Sequence, residues 1–344
     1  MISSLYIYAL IIFSNIIIIY FLYPISFTLG LVDSPGKRKM HHGDIPVIGG
    51  ICFYVTLLLL IYLINLPHWI LIIIYSSSVI VILGAIDDSL QLGVTIRLIS
   101  QLIASLMVIG SGLQVVDIGE YSIMNAINLG QFGILITIIS VLGLINAFNF
   151  IDGLDGLSSG LFAIAIFSIL FFSSITGNLE NFDFLICLLI LIFIFIIFNL
   201  GFFSSKKIFL GDSGSTLLGF IIAWLLIYYA HPSVRNIHPV LTIWCVTLPV
   251  FDLLTVVIRR IFKGINPLRP DRRHIHHMFL RRGYSHTKTL FLILLFALFS
   301  SIFGIFIFIF FGPLPSLLSY IILFFLYVFF NFYFFRYKSK AIDA

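Results

Sequence analysis

Charge is what this sequence has least of. Of its 344 residues only 19 are Lys or Arg and 14 are Asp or Glu, 10% in all, where a soluble globular domain carries about 25%. With 61% hydrophobic residues and a mean hydropathy of +1.18, a water-soluble domain is excluded. Cysteine is nearly as scarce. Cys52, Cys187 and Cys245 each fall inside an apolar run with no metal-ligand spacing between them, which leaves them as small buried hydrophobes, silent on redox compartment. No internal repeat and no low-complexity tail is present. No A-x-A cleavage pattern follows the first apolar run, about Ser3 to Gly30, which is longer than the apolar core of a signal peptide; it reads as a membrane helix that stays.

What the chain does have is long apolar runs. Eleven are near the 20 residues needed to cross a bilayer, at about 3–29, 46–66, 69–86, 95–113, 131–149, 157–176, 183–200, 213–231, 239–261, 289–311 and 316–335. The expectation is an all-α, polytopic membrane bundle of about eleven helices. It forms one domain over 1–344, with the polar motifs in 33–283 and two spans, 289–335, behind them. Alternate connections must share a side, and on that partition 18 of the 19 Lys and Arg fall together, with Arg235 alone opposite. The positive-inside rule makes the crowded side cytoplasmic, so the N-terminus is periplasmic and the C-terminus cytoplasmic. The net charge of +5 is then topology-setting charge beside anionic lipid, not a nucleic-acid surface. The longest connection on the other side, near 115–131, has room for a small hairpin.

Against this background the few acidic groups stand out, because a charge near hydrocarbon costs about 2.5–3.5 kcal/mol at a helix centre on the lenient insertion scale. They cluster at one face. Asp87-Asp88 ends the third run; on a helix the two side chains diverge by about 100°, so one can aim at a reacting group while the other binds a cation or a cationic side chain. Arg97, at the start of the next run, can return to pair with Asp88 or to contact a phosphate. Asn149-Phe-Ile-Asp152-Gly-Leu-Asp155-Gly joins the fifth and sixth runs. It superficially resembles a calcium loop but lacks the glutamate at the twelfth position and has transmembrane flanks; its oxygen ligands suit Mg²⁺ better. In Phe209-Leu-Gly211-Asp212-Ser-Gly, glycines at a helix start expose backbone N–H groups as a phosphate cradle, with Asp212 placed either to hold the bridging cation or simply to cap the helix. His274-Ile-His276-His277 follows an arginine-rich stretch. It has no cysteine partner and no helical H-x₃-H spacing, which speaks against zinc and for a grip on a diphosphate and sugar. The first loop on this face, 33–50, adds Lys39, His41 and further cations, which equally serve as a positive-inside anchor. Asp252, inside the ninth run and seven residues before Arg259, reads as a polar joint in a broken helix.

These motifs, in this order, resemble the polyprenyl-phosphate N-acetylhexosamine-1-phosphate transferase family (glycosyltransferase family 4). The matching segments are D-x-P-x-x-R-K-x-H with I-P-x-x-G-G, then D-D, N-x-x-D-G-x-D-G, G-D-x-G-S and H-x-H-H, spanning about Asp33 to Gly283. The family's peptidoglycan branch typically carries three consecutive histidines; His274-Ile-His-His is closer to the branch acting on undecaprenyl phosphate and UDP-GlcNAc. The resemblance implies transfer of GlcNAc-1-phosphate from UDP-GlcNAc to undecaprenyl phosphate, releasing UMP, at the start of a cell-surface polysaccharide on the bacterial inner membrane. It implies Mg²⁺, with Mn²⁺ as the alternative, held by Asn149 and Asp212. Asp87 would act as base near the lipid phosphate with Asp88 as its partner, Asp152 and His276 completing the catalytic group. Asp155 would face the uracil edge and Phe209 stack on its ring. Arg97, His274, His277, Gly211, Lys39 and His41 would address phosphates and sugar. The expected partners are these two substrates and membrane lipid, no nucleic acid, with a homodimer left open.

Two other classes compete. A secondary transporter places charges near mid-span in repeated halves, and a scaffold has no need of five polar clusters on one face. Neither pattern fits these spacings.

Overall fold

A computed structural model describes residues 4–34, 43–121, 125–177, 180–202, 206–264 and 274–336. Every apolar run is helical. In chain order the helices are α1 (Ser4–Leu29), α2 (Gly49–Leu63), α3 (His68–Leu90), α4 (Val94–Ile109), α5 (Phe132–Ile151), α6 (Leu157–Thr176), α7 (Phe182–Asn199), α8 (Gly211–Ala230), α9 (Pro239–Cys245), α10 (Thr247–Phe262), α11 (Ile275–Arg281), α12 (His286–Phe311) and α13 (Pro313–Arg336). A two-stranded antiparallel hairpin, β1 (Val32–Asp33) and β2 (Ile45–Pro46), lies between α1 and α2. Eight helices (α1, α3, α5, α6, α7, α8, α12 and α13) are long and apolar enough to cross a membrane, and the pair α9–α10 makes a ninth if taken as one span. The chain is a multi-pass membrane protein. α2 and α4, with 15 and 16 residues, are shorter apolar helices; at 1.5 Å per residue they reach only about 23 Å.

The run at 239–261 is not one straight helix but two, bent by 80°. The backbone explains the break. Pro249 has no N–H to give the carbonyl of Cys245, four residues back, and the carbonyl of Trp244, one residue earlier, accepts from the Thr247 hydroxyl (3.0 Å). Val246, at φ −127° and ψ 28°, leaves helical geometry between the two pieces. The joint is thus at Val246, and Asp252 lies beyond it, within α10.

The bundle is organised round α8, of which Ser213 through Tyr229 are all buried. Helices in lipid gain little from burying apolar surface against one another and need close contact instead. Small residues supply it: a Cβ on Gly50 of α2 would collide with the Gly214 backbone of α8, one on Gly84 of α3 with Ser213, and one on Gly219 of α8 with Ile145 of α5. α1 and α13 lie at the edge with mostly lipid-exposed surface. The hairpin docks on the segment before α8, where Phe209 N–H donates to Pro46 O (2.8 Å), Gly49 N–H to Phe209 O (2.9 Å) and Gly50 N–H to Leu210 O (3.1 Å). The end of α3, the α5–α6 turn, the start of α8 and α11 therefore meet at one end of the bundle. At the other end, 115–131 pairs across Asp117 and Asn128, the small hairpin the connection's length allows.

Candidate active site

The start of α8 is fixed by a carboxylate from another helix. Leu210, at its N-cap, makes no side-chain cap bond. Asp88, half-buried at the end of α3, instead accepts from Asp212 N–H (2.7 Å) and Ser213 N–H (3.2 Å). A negative group is well placed at the positive end of a helix. Only glycine fits before it: Gly211 has φ +76°, and a Cβ there would meet Val47 and the Asp88 carboxylate. The N–H groups expected to cradle a phosphate are thus occupied by Asp88.

Asp87 points the other way, as adjacent helical residues must. It is buried; Oδ1 accepts from Leu92 N–H (2.5 Å) and Oδ2 lies 3.2 Å from Arg97 Nη1. Arg97 also sits 3.8 Å from Asp212 Oδ2. Arg97 therefore joins Asp87 to Asp212, not to Asp88, because Asp88 is turned to the α8 backbone. On the other side of Asp212, the Asn149 amide donates to Oδ1 (2.7 Å) and to Ser215 Oγ (3.0 Å). Asp87, Arg97 and Asp212 line a cleft that continues past Ser100, Gln101 and Thr216 to the apolar side chains of Ile80 and Leu83. Its lining is polar around Asp87, Arg97 and Asp212, and one to two turns back along α3 it becomes hydrocarbon.

The acidic turn lies next to this group. Burial raises the Asp152 carboxyl well above the usual carboxylate range, and the negative charges of Asp212, Asp155 and Asp88 raise it further. Asp155 is paired with Lys207 (2.6 Å), whose ammonium also sits over the Phe209 ring, 5.2 Å from its centroid. The two residues assigned to a base by resemblance are thus adjacent, with a cation between them. His276 packs on the turn: a Cβ on Gly153 would fall on its Nε2. It is buried, and neither ring nitrogen has a hydrogen-bond partner. Its pKa is pushed down to about 3, first by burial and then by His277 and His274, so the ring is neutral. The three imidazoles form one cluster, His274 and His276 parallel at 6.1 Å and His276 and His277 at 4.1 Å between centroids. Asp252 holds His274 from behind (Nδ1 to Oδ2 2.7 Å).

Asp87, Asp88, Arg97, Asn149, Asp152, Asp155, Phe209, Gly211, Asp212, His274, His276 and His277 thus gather at one end of the bundle; Lys39 and His41 lie outside the described residues. Sequence reasoning treated Lys207 only as topological charge, quoted Ser215 in its motif without giving it a role, and passed over Gln101, whose apolar surroundings gave no signal; the Asn146 amide donates to Gln101 (2.8 Å). Among the described residues no three His, Cys, Asp or Glu converge as a metal cage.

The model of glycosyl transferase family 4 matches residues 70–230, which run from α3 to the end of α8. Three relatives are described as undecaprenyl-phosphate alpha-N-acetylglucosaminyl 1-phosphate transferases. That of Salmonella typhi is 32% identical over 275 residues, 79% of this chain and 75% of the relative. That of Yersinia pestis is 32% identical over 287 residues, 82% of this chain and 78% of the relative. That of Haemophilus influenzae is 34% identical over 277 residues, 78% and 77% of the two chains.

Proposed function

Because the chain belongs to glycosyl transferase family 4, we propose that the site described above transfers GlcNAc-1-phosphate from UDP-GlcNAc to undecaprenyl phosphate, giving undecaprenyl-diphospho-GlcNAc and UMP. The enzyme is a phosphoglycosyl transferase with a polyprenyl-phosphate acceptor in the membrane. One observation carries the reading: Asp87, Arg97 and Asp212 share a cleft whose wall turns apolar along α3. A lipid phosphate has this division, an anionic head joined to a hydrocarbon tail.

In the reaction an oxygen of the lipid phosphate attacks the sugar-bearing phosphorus of the donor, and the bond to the UMP phosphate breaks. Asp87 is placed to orient the acceptor or take its proton, with Arg97 drawing its phosphate in. Asp88 acts by holding Asp212 at the start of α8. The donor set fits Mg²⁺, or Mn²⁺: oxygen donors from Asp212, Asn149 and nearby Asp152, fewer than a closed cage, suit a hard cation that fills its shell with substrate oxygens and water. When bound, such an ion screens the diphosphate and stabilises the leaving UMP. Asp152, its pKa raised first by burial and then by the charges of Asp212, Asp155 and Asp88, lies close enough to Asp212 to join that donor set. The imidazole cluster would face the donor's phosphates and sugar, and Phe209 with Asp155 its uracil.

The eleven-crossing topology adds α2, α4 and the bent pair to the eight long helices. It puts this end of the bundle in the cytoplasm of a bacterial inner membrane, supported by the one-sided Lys and Arg distribution. A phosphatase fused after Ala344 should then be inactive in the periplasm. The product would prime a surface polysaccharide such as O antigen, common antigen or a teichoic acid linkage unit.

The test is label transfer by the purified protein from a panel of UDP-N-acetylhexosamines and UDP-MurNAc-pentapeptide to undecaprenyl phosphate. Butanol-extractable label from UDP-GlcNAc, with one UMP released per transfer, is expected. Label that stays in water with every donor would overturn the reading, and label from another donor alone would reassign the sugar.

A further inference from the structure

We propose that Asp252, which lies outside the acidic cluster, is a positioning residue that fixes the tautomer and aim of His274. The inference rests on the reading of the histidine cluster as part of the substrate site.

Asp252 is 2% exposed, inside α10. Its carboxylate collects three donors from two parts of the fold, the start of α11 and α13. Oδ2 lies 2.7 Å from His274 Nδ1, Oδ1 accepts from the Ile275 N–H that opens α11 (2.9 Å), and Tyr327 of α13 donates to Oδ1 (3.3 Å). A carboxylate that receives an N–H and an O–H is an acceptor, so the proton between it and His274 sits on Nδ1. That leaves Nε2 of a neutral His274 with a lone pair. Second partners of this kind set the tautomer and ring orientation of functional histidines.

The aim is as constrained as the tautomer. The His274 ring lies parallel to that of His276, with 7° between planes, and against Phe150 at 5.7 Å, the neighbour of Asn149. His276 in turn packs on Gly153 of the acidic turn. α10 is tied to α13 a second time two turns beyond Asp252, where Arg259 donates to Asn331 Oδ1 (3.2 Å). The 80° break between α9 and α10 sets the direction from which Asp252 approaches. The C-terminal span thus contributes to the site through the residue that holds His274.

The experiment separates this role from simple bracing. Asp252→Asn keeps the size and can still accept from Ile275 and Tyr327, but turns an NH₂ or a weaker acceptor toward His274. Its kcat/KM should fall about 10–100-fold with an unchanged thermal midpoint in detergent. The fall should vanish, to within about twofold, in a His274→Gln background, since two residues acting as one unit are not additive. In ¹⁵N-histidine NMR of the wild type, with His274 assigned by its loss in His274→Gln, the Nδ1–H tautomer is expected, lost in Asp252→Asn. An Nε2–H tautomer in the wild type overturns the proposal, as does an equal kcat/KM loss in the wild-type and His274→Gln backgrounds. The wild-type spectrum decides even if Asp252→Asn does not fold or the wild type transfers no sugar phosphate; the latter result counts against the transferase reading alone.

Discussion

The two ends of the bundle use polar groups in opposite ways. At the end away from the motifs, an ion pair and hydrogen bonds to backbone carbonyls close the loops. Arg235 pairs with Asp117 (2.6 Å), whose other oxygen takes the Gly119 N–H (2.8 Å). A His238 ring nitrogen meets Glu120 O (3.0 Å), and Tyr229 donates to Glu180 O (2.9 Å). At the motif end one arginine is shared by two carboxylates, Asp152 sits among like charges, and His276 is buried with both nitrogens unpartnered. Burying such groups unpaired is unfavourable. In one chain, then, pairing holds the loops at one end, while like charges and unpartnered imidazole nitrogens collect at the end that carries the motifs.

Breaking the motif end should abolish chemistry and leave the fold. Asp212→Asn is expected to show the largest effect, a loss of transfer on the order of 10²–10³-fold. The bonds from its backbone N–H and that of Ser213 to Asp88 survive, so the circular dichroism spectrum should not change. Asp87→Asn should lower turnover by about 10²-fold while UDP-GlcNAc binding persists, because an amide oxygen can still accept from Leu92 N–H. In lipid-free detergent the wild type should release no stoichiometric burst of UMP from UDP-GlcNAc; such a burst would show a covalent intermediate in place of direct attack by the acceptor.

The folded pKa of His276 is depressed from 6.5 to about 3, so below about pH 6.5 the unfolded chain binds a proton that the folded one refuses. The stability His276 confers is complete above that pH and is lost as the pH falls toward 3, with a slope of up to about 1.4 kcal/mol per unit. Asp152, its pKa raised in the same site, gains stability toward acid with the opposite sign, so between pH 7.5 and 5 the thermal midpoint of the wild type should fall relative to that of His276→Gln; parallel curves would remove His276 as the source.

Breaking the paired end should do the reverse. Arg235→Met leaves the buried Asp117 carboxylate short of a partner and should lower stability by about 1–3 kcal/mol, with kcat per folded molecule within about twofold of wild type. A large loss of kcat at an unchanged midpoint would blur the contrast between the ends.

Much of this was legible because membrane helices advertise themselves. All eleven apolar runs are helical, and the motif loops converge as their shared face required. The divergence of Asp87 and Asp88 follows from helical geometry alone. What stayed hidden depends on contacts distant in sequence. Asp88 reaches a backbone 124 residues away, and Tyr327, in the last apolar run, meets Asp252 75 residues back. Pro249 was the visible signal of the break at Val246, masked by the length of the apolar run. Lys207 reads as topology until its pairing with Asp155 is seen.

The contrast between the ends is tested most directly by calorimetric titration of UDP-GlcNAc into the detergent-solubilised protein with and without Mg²⁺. Binding that needs the metal in the wild type, vanishes in Asp212→Asn and is unchanged in Arg235→Met is the expected result. Equal binding by Asp212→Asn, or binding that ignores Mg²⁺, would contradict a site built on surplus carboxylates.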